Sequence, residues 1–281
     1  MQVKNCFNIK VMMKINKKKK YFKIWIGFFT ATISLSSFAD NTYIDDYYIE
    51  AKGMEGKALK NMLSIIASRG QKQLTYNEVW SALKDTNEDP NNPDNVILFY
   101  SGRSQSKDFT ASGNNNKDAW NREHLWPKSL GFKRKNQWGY TDIHHLQPTD
   151  VQINSIRSNK AFDFGGKPLT KSPFNKTDND SFEPRDAVKG DVARAIFYMA
   201  VRYEGLDANM PDLFIADDTS THSGEPKVGK LCSLLQWHNA DPVDEWERLR
   251  HEKAVIWQCN RNPFIDNPQW VNAIYASRCS F

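Results

Sequence analysis

Leu59, Met62, Leu63 and Ile66 share one face of a 3.6-residue repeat and Gly70 follows, so the spacing predicts a helix that stops there. Thr75 and Glu78 stand in capping-box order before a second short helix through about Leu83. The run DTNEDPNNPDN at 85–95 reads as a turn-rich loop, and Val96 to Tyr100 as a short buried strand. Residues 101–116 are polar and rich in Gly, Ser and Asn and read either as a mobile loop leading into a functional site or as a plain surface connection. One short segment is ended by Pro127, which cannot donate to a sheet ladder. A second, Ile143 to Gln147, runs into Pro148, which suits the first turn of a helix carrying Asn154 and Arg157 on roughly one face. The order is strand, loop, strand, helix. Residues 161–188 are broken repeatedly by Gly, Pro, Asn and Asp and are expected to be irregular. Asp191 to Glu204 is a helix with the stripe Val192, Ala195, Ile196, Met199 and Tyr203, and Leu231 to Trp237 is another. Asp241 with Pro242 reads as the start of a long helix, one side of it traced by Val243, Trp246, Leu249, Lys253 and Ile256. Asn267-Pro268 begins a last helix with Trp270, Ala273 and Ile274. The fold class is α+β, a mainly helical single domain over 40–281.

The first 39 residues change the reading of charge. They hold eight lysines and no Asp, Glu or Arg, with Lys17 to Lys20 preceding an apolar stretch from Tyr21 to Phe38. Small residues around Ser37-Phe38-Ala39 complete the pattern of a secretory signal peptide, with Met1 or Met13 as its start. A membrane anchor is the competing reading, but the uninterrupted apolar run after Lys23 is short of the ~20 residues a span needs. The whole chain carries 38 basic and 33 acidic residues; without the eight lysines, 30 face 33 and the net charge turns from +5 to −3. The basic balance is therefore no argument for nucleic acid, and any phosphate-binding surface must be local. Arg122, Lys128, Lys133, Arg134, Lys135, Arg157, Lys160, Lys167, Lys171 and Lys176 crowd one region with few acids. Such a run is commonly a solvated face; around the residues below it suits phosphate contact. After cleavage Cys232, Cys259 and Cys279 remain, enough for one disulfide in an exported protein, and Cys259–Cys279 is the expected pair.

The chemistry concentrates between Asn121 and Asn159. Glu123 and His124 are adjacent, and on a regular strand they point to opposite faces, so sharing a site requires a strand end or a bulge. A carboxylate and an amide oxygen are hard ligands that suit Mg²⁺, and neutral imidazole suits proton abstraction near pH 7. Together these residues suit metal-assisted hydrolysis of a phosphodiester. His144 and His145 invite a zinc reading with His124, but strand neighbours make a poor chelating pair.

NREHLWP at 121–127, DIHHLQP at 142–148 and NSIRSN at 154–159 resemble endonuclease I, the exported non-specific nucleases of the ββα-metal (His-Me finger) group. The resemblance continues through KGDVARAIFYM at 189–199 and DPVDEWERLRHEKAVIWQCNRNPFID at 241–266. It implies a ββα-metal core in a mainly helical shell, His124 as the general base and Glu123 and Asn154 as metal ligands. Arg157, in the RSN element, would stabilise the phosphate, with Arg122, Arg134 and Asn159 as substrate contacts and His144 supporting the site from behind. The cofactor would be Mg²⁺, with Ca²⁺ or Mn²⁺ as substitutes. The substrates would be double- and single-stranded DNA and RNA, cut with little sequence preference to leave 5′-phosphate ends. The implied protein is a monomer, periplasmic or extracellular, free of the membrane once the signal is removed. The family commonly has Asn where His145 stands. A non-catalytic exported module binding nucleic acid or a cell surface on the same fold is the alternative.

Overall fold

The computed structural model describes residues 43–112 and 116–280. The signal peptide expected at 1–39 lies outside the described residues. Helix α1 (Gly56–Ser68) forms where the apolar spacing places it and buries Leu59, Leu63 and Ile66. Helix α2 (Glu78–Thr86) opens on a reciprocal capping box: Thr75 N donates to Glu78 Oε2 at 2.7 Å and Glu78 N to Thr75 Oγ1 at 3.1 Å. The segment read as a turn-rich loop is instead partly extended. β1 (Glu88–Asp89), β2 (Asn92–Ile97) and β3 (Ser104–Ser106) form a small antiparallel sheet, so the strand begins at Asn92 and ends before Tyr100. Asx turns at Asp89 and Asn92 stabilise a hairpin whose exposed residues leave no apolar trace in the sequence.

β4 (Trp120–His124) and β5 (Leu146–Asp150) pair antiparallel without a bulge, from Trp120 opposite Asp150 to His124 opposite Leu146. Helix α3 (Val151–Arg157) follows at once and packs on both strands. Pro148 thus lies within β5, opposite Arg122, rather than in the helix, and the strand starts at Leu146 rather than Ile143. A two-stranded ribbon is all edge, so a residue without an N–H is tolerated there. The Pro148 carbonyl still accepts from Phe99 N at 2.9 Å.

The stretch expected to be irregular contains four short strands, β6 (Ala161–Phe162), β7 (Lys167–Leu169), β8 (Ser172–Thr177) and β9 (Ser181–Glu183), in sheet order β6-β9-β8-β7. They escape the periodicity because each is two to six residues long and punctuated by turn residues.

Helix α4 (Lys189–Arg202) is the centre of the main core: every residue from Val192 to Arg202 is buried. An all-round buried helix must be covered on every side; α1, α5 (Leu231–Ala240) and the short α7 (Pro263–Asp266) pack on it. Gly190 lets its first turn approach the chain at Asp241, since a Cβ there would sit 2.0 Å from the Asp241 carbonyl oxygen. β10 (Phe214–Ile215) and β11 (Lys227–Val228) form a small parallel pair between α4 and α5 in the chain.

Helix α6 (Glu245–Gln258) departs most from its pattern. Its cap is Asp244, which accepts from Glu247 N at 2.7 Å, whereas Asp241 accepts from Gly190 N. Its buried face is Glu247, Arg250, His251, Ala254 and Gln258, while Leu249 and Ile256 are exposed. Arg250 and Gln258 are burial-compatible because they find partners. Arg250 donates to the carbonyls of Ile143 and Leu146, and Gln258 accepts from Ile143 N and donates to Asp142 Oδ1. These bonds tie α6 to the segment entering β5. The last helix, α8 (Gln269–Tyr275), packs on α1. Cys279 bonds to Cys232, not to Cys259 as expected, and fastens the C-terminus to α5. Among the described residues no helix is long and apolar enough to cross a membrane.

Candidate active site

A cleft of about 1040 Å³ is lined by Asn121, Arg122, Glu123 and His124 from β4, Asn154 and Ser155 from α3, Asn159 beyond it, and Tyr76, Trp80, Lys117 and Lys128 around the rim. Both parities of β4 reach it. Register is regular, so the solution is not a bulge: His124 is the last residue of the strand, and a two-stranded ribbon is narrow enough for one cleft to receive side chains from both faces.

His124 is fixed by one bond. Its Nε2 lies 3.0 Å from the Tyr140 carbonyl oxygen in the interior. A carbonyl only accepts, so Nε2 carries the hydrogen and Nδ1 keeps its lone pair. Burial, seconded by nearby His145, holds the imidazolium form well below the usual range, and the Tyr140 bond only partly opposes this. The ring is therefore a neutral base with a defined tautomer. Tyr140 and Tyr76 flank it, with ring centroids at 5.1 and 6.1 Å.

Glu123 is almost fully buried. Its Oε1 accepts from Tyr100 Oη at 2.8 Å and Arg157 Nη1 at 3.0 Å. Burial nevertheless raises its pKa, with Arg157 and Tyr100 offsetting part of the penalty. Such a carboxylate gains from a further positive charge. Asn154 commits its Nδ2 to Asn121 Oδ1 at 2.7 Å, which leaves Oδ1 as the end that can meet a cation. Asn121 and Glu123 are two apart on β4 and so share its face, which brings the Asn154 amide to the side of the ribbon that carries Glu123. The donor set is hard oxygen, the set that Mg²⁺ prefers.

Arg157 has no exposed surface. Its guanidinium donates to Glu123, to the His124 carbonyl at 2.8 Å and to the Leu125 carbonyl, and stacks 4.4 Å over Phe162. In this structure it faces the back of Glu123 and not the cleft. Arg122 occupies the cleft wall: its Cζ is 3.4 Å from the Tyr76 ring centre and 4.1 Å from that of Trp80, and Nη1 donates to the Tyr76 carbonyl. Asn159 also lines the cleft, whereas Arg134 does not. His144 points elsewhere, with Nε2 on the Asn260 carbonyl and its ring against Tyr198 and His251. It is His145 that stands beside His124, 5.5 Å between ring centres, with Nε2 on the Gly139 carbonyl. The three histidines do not converge as a zinc set would. Sequence reasoning passed over Asn121, Tyr100 and Tyr140. Alternation along β4 points to Asn121; the two tyrosines come from segments with no pattern linking them to the site.

Among the described residues, His251, Glu252 and Asp266 bring ligand atoms within 4.8 Å of one another. Arg261 already supplies the cation there, bonded to both carboxylates, with Nε 2.8 Å from Asp266 Oδ2. This is a partly exposed ion network whose residues do not line the cleft.

A family model described as Endonuclease I matches residues 55–269. The chain is 53% identical over 232 residues to an extracellular ribonuclease of Bacillus subtilis, covering 82% of this chain and 78% of that protein. An extracellular ribonuclease of Bacillus amyloliquefaciens is 52% identical over the same shares. An extracellular deoxyribonuclease of Aeromonas hydrophila is 29% identical over 131 residues, 44% of this chain and 49% of that protein.

Proposed function

The chain belongs to the endonuclease I family, and from that premise we propose that its cleft hydrolyses phosphodiester bonds with His124 as general base and a divalent cation, Mg²⁺, held by Glu123 and Asn154. The protein is an exported endonuclease. The observation that carries the finer reading is the bond from His124 Nε2 to the Tyr140 carbonyl, because it presents an unprotonated Nδ1 on a neutral ring.

His124 Nδ1 takes a proton from the attacking water. The cation, when bound, offsets charge on the phosphate and on the departing 3′ oxygen. Arg122, held flat between Tyr76 and Trp80, meets phosphate oxygens from the wall, and Asn159 and Lys128 extend the contact along the cleft. Arg157 and Tyr100 keep Glu123 aimed without touching the substrate. Glu123, Asn121 and Asn154 with the β4–β5–α3 unit form a ββα-metal arrangement. Phosphate contacts carry no base information, which suits cleavage with little sequence preference, and departure of the 3′ oxygen leaves 5′-phosphate ends. Two relatives above 50% identity are named ribonucleases, which supports RNA as a substrate beside single- and double-stranded DNA. The working form is a monomer of residues 40–281, released from its signal.

The test incubates residues 40–281, freed of metal by chelator, with supercoiled plasmid and single-stranded RNA, with and without Mg²⁺, beside His124→Ala. Cleavage that requires metal and disappears in His124→Ala is expected. Undiminished cutting by His124→Ala would overturn the assignment of the base, and wild-type protein that binds but never cuts would favour the non-catalytic module.

A further inference from the structure

We propose that the β7–β8 hairpin is a second substrate contact, with Phe174 as a stacking platform for an unpaired base of a single strand leaving the cleft past Lys117. The inference rests on the nuclease reading and extends it to the class of substrate conformation.

Phe174 is 75% exposed, the most exposed large apolar side chain among the described residues. A lone exposed phenylalanine carries no message; its surroundings do. It sits in β8 beside Asn175, which is fully buried. Asn175 Nδ2 donates to the Tyr100 carbonyl at 2.9 Å and to Ser172 Oγ at 2.7 Å, while its Oδ1 accepts from Arg185 N at 3.0 Å. The ring is thus displayed from a pinned strand. The anchor is the same tyrosine whose hydroxyl holds Glu123, so the platform is rigidly tied to the site.

The hairpin also lies at the cleft's end. α3, which carries Asn154, packs on β8, and Lys171 Nζ is 3.9 Å from Asp118 Oδ1. Asp118 accepts from Gln152 of α3 and adjoins Lys117 on the cleft rim. Lys171 and Asp118 are both largely exposed, a loose pair that a phosphate can replace. Lys167 is exposed on the adjacent edge strand β7. Cations tracking a backbone beside an aromatic face are the elements of single-strand binding; a duplex keeps its bases stacked internally and cannot use the ring.

The test measures binding in chelator, where nothing is cut, of a fluorescent single-stranded RNA roughly 12 nucleotides long and of a duplex of equal length. Phe174→Ala is expected to weaken single-strand binding by about fivefold or more and to leave duplex binding and melting temperature unchanged; Phe174→Trp retains affinity. Lys171→Ala is expected to reduce the slope of log affinity against log salt by about 0.7. Equal single-strand affinity for Phe174→Ala and wild type, in a protein that cuts RNA, overturns this inference alone. A wild type that neither binds nor cuts overturns it together with the nuclease reading.

Discussion

Replacing Arg157 by alanine separates a cation that meets substrate from one that holds Glu123. The guanidinium is fully buried against a carboxylate that is itself 2% exposed. Removing one partner of such a pair leaves a charge uncompensated and costs about 3–5 kcal/mol. The carbonyls of His124 and Leu125 lose their donors as well. For a domain of this size, that is a fall of roughly 6–20 °C in Tm. Urea unfolding followed by tryptophan fluorescence reads it directly, with Trp120 and Trp126 fully buried nearby. A double-mutant cycle with Glu123→Gln is expected to show coupling of about 1–3 kcal/mol. Loss of the cation also raises the Glu123 pKa further, so residual activity moves to higher pH. If Arg157→Ala unfolds at the wild-type midpoint while kcat collapses, the arginine acts on substrate and the reasoning from burial is wrong.

Buried His144 and His145 are both held down to about 4, chiefly by burial. The unfolded chain takes up these protons as pH falls through about 6.5, the folded chain only near 4, so each histidine removes about 1.4 kcal/mol of stability per pH unit across that window. Melting curves from pH 7 to 4 should show this fall, about one proton shallower in His145→Asn; a flat profile would contradict the burial argument. Thr75→Ala breaks the capping box of α2 and is expected to cost about 1 kcal/mol in urea unfolding, an expectation that an unchanged midpoint defeats.

The parts legible in the sequence are those whose reasons are local. The capping box at Thr75, the stripe of α4 and the order of β4, β5 and α3 each follow from spacing within a few residues. What escaped depends on partners far along the chain. Arg157 beside the Asn154 amide reads as a cleft residue until Glu123 and two carbonyls are seen to surround it. Leu249 and Ile256 read as core because apolar periodicity cannot know that Arg250 and Gln258 have carbonyls and amides waiting on the opposite face. Cys279 chose Cys232 because α5 passes the C-terminus, a matter of packing order with no sequence signature.

The bonds from Arg250 and Gln258 to Asp142, Ile143 and Leu146 span more than a hundred positions of the chain. β4 and β5 carry their own ladder, and α6 adds a brace where the chain enters β5. Because chains emerge and fold from the N-terminus, His124, Glu123 and Asn154 all leave the ribosome long before the helix that steadies them. The chain order therefore separates the reactive residues from part of their support. A chain that ended before α6 would carry His124, Glu123 and Asn154 on β4 and α3 but would lack the bonds that Arg250 and Gln258 make to the segment entering β5.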